Sequence, residues 1–171
     1  KIHSIGVSNW TTQRIEEANK FAEENGMEPI RISQINYSLA HSSVETFGDN
    51  TLVCMDTKEF RWYKKHDFPV MAFSPQAKGF FAKLAKGDAA NNLPEGQYAG
   101  PANLARLAKV KQLSEQTGDT PAKITLGYLN SQPFFVSSVF AVTKLWQLDE
   151  DMEAQDLTYD PKTVAFLENM I

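Results

Sequence analysis

The chain has 171 residues, 42% of them hydrophobic and 22% charged, with a formal net charge of −4. That length holds one domain with a real core, and the balance is that of an ordinary globular protein, which excludes a disordered chain. The negative charge argues against nucleic acid as a main partner, no run approaches membrane-spanning length, and the single cysteine, Cys54, rules out an intramolecular disulfide and a cysteine-based zinc site.

A reducing, cytoplasmic setting follows as the default for such cysteine usage. The chain opens on Lys1-Ile2-His3-Ser4-Ile5-Gly6-Val7-Ser8-Asn9-Trp10, with neither an initiator methionine nor a basic-then-apolar leader. It enters a strand at once and reads as part of something longer.

Ile2 to Val7 is the first predicted strand. Thr11 or Thr12 caps a helix whose buried stripe is Ile15, Ala18, Phe21 and Ala22, with Gly26 just past its end. Ile30 to Asn36 is a second strand, followed by a polar loop to Asn50 and a helix from about Thr51 to Lys65, whose Lys64-Lys65-His66 end reads as solvated. The third strand begins at Val70. After it come a short amphipathic turn from Phe80 to Leu84 and a long loop from Gly87 to Pro101.

Asn103 to Gln116 has helical spacing and stops at Gly118. Thr120-Pro121, a cap followed by proline in the first helical position, starts a mostly apolar helix through Ile124, Leu126, Tyr128 and Leu129 that the pattern buries. Phe134 to Val142 is the fourth strand, Leu145 to Ala154 a helix, and Asp160-Pro161 opens the last helix, with Val164, Leu167 and Ile171 apolar. Strand and helix alternate four times. Such βα units give a parallel sheet with right-handed crossovers. Four of them are half of an eight-stranded barrel, or alternatively a small open doubly wound sheet, and periodicity weighs the two equally.

In either arrangement ligands sit past the carboxyl ends of the strands. Val70-Met71-Ala72-Phe73 runs into Ser74-Pro75-Gln76-Ala77-Lys78-Gly79 at such a place. Gly79 permits a close backbone approach, Lys78 brings a cation and Ser74 a hydroxyl, so an anion such as a pyrophosphate would meet several donors.

Four motifs leave the four strands: Gly6-Val7-Ser8-Asn9-Trp10, Gln34-Ile35-Asn36-Tyr37-Ser38-Leu39, Ala72-Phe73-Ser74-Pro75, and Val142-Thr143-Lys144 with Gln147-Leu148-Asp149-Glu150-Asp151. In this order and at these separations the set resembles the carboxyl-terminal half of the aldo-keto reductases, over essentially the whole chain. The resemblance implies the second half, four βα units, of a TIM (β/α)8 barrel, with residues 1–171 forming a single partial domain. It also implies an oxidoreductase that reduces aldehydes and ketones with NADPH, NADH being the less favoured cofactor.

Carried over residue by residue, the resemblance assigns Ser8, Asn9 and Gln34 to the nicotinamide carboxamide, a group that needs donors and acceptors together. Phe73 stands where a ring, commonly tyrosine, stacks on the nicotinamide. Ser74, Gln76, Lys78 and Gly79 match the pyrophosphate loop, with glutamine where leucine is common. Thr143 and Lys144 match the adenosine 2′-phosphate end, Lys144 falling where many members carry arginine, and Gln147, Glu150 and Asp151 match the ribose and adenine side. Ala141 replaces a residue often glycine or lysine, and Asp151 stands where asparagine is usual.

The family's catalytic aspartate, tyrosine, lysine and histidine come from strands that this resemblance does not cover. No catalytic residue is therefore assigned here, and no metal ligand. Tyr37 matches a structural position; His3, His41 and His66 read as solvated. The implied partners are a nicotinamide dinucleotide, a carbonyl substrate once the other half is supplied, and either a second copy or that amino-terminal half at the open strand edges. The alternatives are a non-catalytic half-barrel that binds a nucleotide or a partner chain, and a fragment with no activity of its own.

Overall fold

The computed structural model describes residues 2–88 and 98–168. Four strands form a single parallel sheet in the order β1-β2-β3-β4: β1 Ile5–Ser8, β2 Ile30–Asn36, β3 Val70–Phe73 and β4 Val136–Val139. Each strand thus pairs only with its neighbours in the chain. A doubly wound sheet reverses direction at a switch point; no reversal occurs among these four strands.

The register divides the sheet into two unlike faces. Ser33, Ile35, Val70 and Ala72 share one face and are buried, Ile35, Val70 and Ala72 within the main apolar cluster. That cluster takes Tyr63 from α3 (Thr57–His66), Phe80 and Phe81 from α4 (Phe80–Ala85), Val110 from α5 (Pro101–Thr117), Ile124 and Leu129 from α6 (Pro121–Asn130) and Leu167 from α8 (Pro161–Leu167). The opposite face carries Ser8, Ile32, Gln34, Met71, Phe73 and Val139, all of them at least partly exposed. One face is helix-covered; among the described residues the other carries no helix and is open except at Asn36, in register with Phe73 and 1% exposed.

Several elements differ from expectation. The 51–65 helix is instead α3 alone, capped by Asp56, whose side chain accepts from Glu59 N. Ahead of it lie a one-turn α2 (Val44–Phe47), capped by Ser43, and a segment that hydrogen-bonds to the end of β2 through Asn36 N to Val53 O and Met55 N to Asn36 O. Edge pairing also shortens the first and last strands: β4 pairs with four residues of β3, so residues 134–142 do not all become strand. Phe21, expected in the buried stripe of α1 (Thr12–Glu24), is 58% exposed, while Ile15 and Ala22 are buried. Among the described residues no helix covers that flank of α1.

Other expectations hold. Helix α6 is buried along most of its length, Thr120 and Asp160 cap α6 and α8 through their side chains, and Lys64, Lys65 and His66 are exposed at the end of α3. Ile171 and most of the 87–101 loop lie outside the described residues. Among the described residues no helix is long and apolar enough to cross a membrane.

Gly6 shows how tightly the first pair of strands is set. A Cβ built there would lie 2.6 Å from Ile32 Cγ2 and 3.0 Å from the Ile32 carbonyl oxygen. Neither neighbour yields easily, one being on a stiff β-branched side chain and the other backbone. Gly6→Ala is expected to cost about 1–3 kcal/mol, read as a lower midpoint in urea.

Candidate functional site

The carboxyl ends of β1, β2 and β3 bring Ser8, Gln34 and Phe73 to the open face, with Asn9 just past the end of β1. Ser8 is paired in register with Gln34, and the Asn9 N–H donates to the Gln34 carbonyl at 2.9 Å. Phe73 lies on the same face, in register with Asn36. The Ser8 hydroxyl and the Gln34 amide make no side-chain hydrogen bond among the described residues, although both sit beside paired backbone. Asn9 Oδ1 accepts from Val53 N at 3.2 Å, which ties the end of β1 to the segment before α3.

Backbone conformation marks the same places. Among the described residues five non-glycine residues have positive φ: Asn9 (55°), Asp67 (46°), Ser74 (52°), Ala77 (49°) and Lys78 (54°). Four of the five belong to the end of β1 or to the loop after β3. Each left-handed non-glycine residue costs roughly 1–2 kcal/mol, and such residues gather where function over-determines the backbone. Asp67 is the exception and merely ends α3. Gly79 also has positive φ, 80°, and a Cβ there would meet only the Lys83 side chain, nearest at 3.5 Å. Its glycine answers to conformation, whereas close approach was the expected reason.

The Ser74–Gly79 loop is closed on itself by Ala77 N to Ser74 O and Gly79 N to Gln76 O, both 2.9 Å. Pro75 and Ala77 are buried while Lys78 is exposed. The Gln76 side chain leaves the loop and donates through Nε2 to Asp151 Oδ1 at 2.6 Å. Asp151 lies in α7 (Leu145–Met152) and is 5% exposed. Burial pushes its carboxyl above the usual range, opposed by the Gln76 bond, and Glu150 pushes it further up.

At the start of α7, Thr143 and Lys144 are exposed. Gln147, predicted for the ribose side, folds back: its Oε1 accepts from Thr143 N at 3.1 Å, Thr143 Oγ1 at 3.1 Å and Lys144 N at 3.0 Å. It thereby orders the turn that presents Lys144. Glu150 is half-buried.

Three supporting residues were not singled out from the sequence. Asn36, 1% exposed, donates weakly to the Phe73 carbonyl at 3.4 Å and accepts from Ser42 Oγ at 2.6 Å. Asn103 holds both His41 backbone groups, accepting at 2.7 Å and donating at 2.8 Å. Glu59 reaches from α3 to the start of α1, accepting from Thr12 N at 3.0 Å and Thr12 Oγ1 at 3.3 Å. Burial raises the Glu59 carboxyl and the two Thr12 bonds oppose that rise. Asn36 lies inside a quoted motif and was the one within reach; the other two act over 47 and 62 residues of chain.

Tyr37 points into the helix-side core, stacked on Phe134 with ring centroids 6.4 Å apart. Burial drives its hydroxyl far above the ordinary phenol range, which suits packing and not proton donation. His3, His41 and His66 are exposed, and Cys54 is a buried free thiol whose pKa burial raises. Among the described residues no three His, Cys, Asp or Glu side chains cluster as metal ligands.

The sequence model of the Aldo/keto reductase family matches residues 1–171. Two relatives, both from Escherichia coli (strain K12), are 22% identical to the chain: L-glyceraldehyde 3-phosphate reductase over 183 residues, and Protein tas over 170 residues. Each alignment covers 98% of this chain, but only 49% of the first relative and 47% of the second. The chain spans about half the length of the relatives it matches.

Proposed function

Because the chain belongs to the aldo/keto reductase family, a family of oxidoreductases, we propose that it forms the nicotinamide-cofactor side of a carbonyl reductase. NADP(H) is the proposed cofactor, and the protein works as one half of a (β/α)8 barrel in a reducing, cytoplasmic setting. The observation that carries the reading is that Ser8, Gln34 and Phe73 share the sheet face that no helix covers among the described residues, with Asn9 at the end of β1 bonded to the Gln34 carbonyl. Sequential parallel order with helices on a single face supports a barrel wall over an open doubly wound sheet.

The residues present fit the cofactor's chemistry. The unpaired Gln34 amide and Ser8 hydroxyl offer donor and acceptor to a carboxamide, and the half-exposed Phe73 ring offers a stacking surface. Lys78 and the Ser74 hydroxyl face a diphosphate with charge and a donor, while Lys144 and Thr143 lie exposed for a terminal phosphate. The bound cofactor would supply the hydride; this chain's part is to bind it, orient its ring and neutralise its phosphates.

A second reading, a non-catalytic half-barrel that binds a nucleotide or partner chain, draws on the bare face. Large exposed apolar residues sit in the two end units: Ile5, Phe21 and Met27 in the first, and Val139, Leu145 and Trp146 in the last. The proposed occupant is the complementary barrel half or a second copy of this chain.

Gln34 gives the sharpest test of the cofactor site, since among the described residues its amide has no hydrogen-bond partner to lose. Gln34→Leu is expected to weaken NADPH and NADH alike, by about three- to tenfold for one hydrogen bond. Titration by fluorescence quenching checks it, with the chain assembled with the other half of a relative. Unchanged affinity for both cofactors would refute the assignment.

A further inference from the structure

Gln76 and Asp151, 75 residues apart in the chain, touch each other: Gln76 Nε2 donates to Asp151 Oδ1 at 2.6 Å. Among the described residues this is the only side-chain hydrogen bond from Ser74–Gly79 to another element. Asp151 is 5% exposed, so its carboxylate has little water to fall back on if the amide is withdrawn.

The loop needs such a tether. Ser74, Ala77, Lys78 and Gly79 all have positive φ, three of them against the preference of an L side chain. Its backbone bonds, Ala77 N to Ser74 O, Gly79 N to Gln76 O and Phe80 N to Ala77 O, run within the loop or into α4 and do not fix its place relative to α7. Pro75 and Ala77 anchor its buried side. The Gln76 tie sets the distance between the loop and the helix that presents Lys144.

We propose that Gln76 and Asp151 are paired positioning residues, a clasp holding the Ser74–Gly79 loop and α7 in one fixed relation so that Lys78 and Lys144 address the two phosphate ends of a dinucleotide. The phosphate part rests on the cofactor reading above; the clasp does not. Neither residue is catalytic.

The test swaps the polarity of the pair. Gln76→Glu sets two carboxylates against each other, and Gln76→Glu with Asp151→Asn restores a hydrogen bond with donor and acceptor exchanged. Hydrogen exchange of backbone amides 74–80 is measured on the unliganded chain, and NADP+ affinity on the chain assembled with the other half of a relative. Gln76→Glu is expected to speed exchange in that loop and weaken NADP+ by about tenfold or more, as losing a charge-assisted bond implies. The double variant is expected to recover both. A merely structural role for either residue alone would leave the double variant at least as impaired as the single.

Equal exchange in the wild type and Gln76→Glu would overturn the clasp, as would a double variant no better than the single. If Gln76→Glu fails to fold, the milder Gln76→Leu serves, with faster loop exchange expected and unchanged exchange decisive against the proposal. Recovery of exchange without recovery of NADP+ affinity upholds the clasp and counts against the cofactor reading.

Discussion

Mixed with NADPH and a reactive aromatic aldehyde such as a nitrobenzaldehyde, the purified 171-residue chain is expected to give no turnover above the uncatalysed rate. Adding the complementary barrel half of a relative is expected to restore it. Reduction of a carbonyl requires hydride donor, carbonyl carbon and proton donor to be held together, and well-oriented groups supply about 7–11 kcal/mol of the barrier. A positioned general acid contributes about 10²–10⁴ in rate. Tyr37, Tyr63 and Tyr128 are buried, with their hydroxyls driven up by desolvation, that of Tyr63 to about 12. The three histidines are exposed, His66 being stacked on Trp62. Steady turnover by the isolated chain, with contaminating reductase excluded, would sink this expectation. The same mixture tests assembly: alone the chain is expected to self-associate in sedimentation, and with the complementary half to give a smaller closed species.

Lys144→Glu is expected to weaken NADPH by about tenfold or more while leaving NADH nearly unchanged, because only the former carries a 2′-phosphate. A charge-assisted hydrogen bond is worth roughly 1.5–3 kcal/mol, or about ten- to a hundredfold in affinity. Lysine's point charge and its exposed place at the start of α7 put the effect towards the lower end. Asn9→Gly serves as the control. It preserves the left-handed backbone that alanine would strain, and it should weaken both cofactors alike. If Lys144→Glu affects both cofactors equally, the 2′-phosphate assignment is wrong and Lys144 only leads its helix.

What the sequence disclosed depended on how local the cause was. The Thr120-Pro121 and Asp160-Pro161 starts were legible because a cap acts within three residues, and α6 because an apolar run needs no partner to be noticed. The break between α2 and α3 was hidden: Ser43 and Asp56 cap two short helices, but the intervening chain is held by β2, which no helical periodicity reveals. The types of the site residues were legible through their motifs. Their scaffold was not, since Glu59 to Thr12, Asn103 to His41 and Gln76 to Asp151 span 47, 62 and 75 residues. Left-handed φ at Asn9, Ser74, Ala77 and Lys78 also escaped notice, because only glycine advertises that conformation.

Strand order that follows chain order makes the sheet a row in which each strand pairs only with its chain neighbours. In such a row the inner units are held from two sides and the outer ones from one, so melting starts at the ends and moves inward. The two outer units hold Asn9 and Lys144, the opposite ends of the proposed dinucleotide site. A ligand that reaches across would therefore act as a staple over the whole row. By mass action its binding energy would go first into suppressing fraying at the two weakest units. The least stable parts of the fold and the most specific parts of the site are then the same residues.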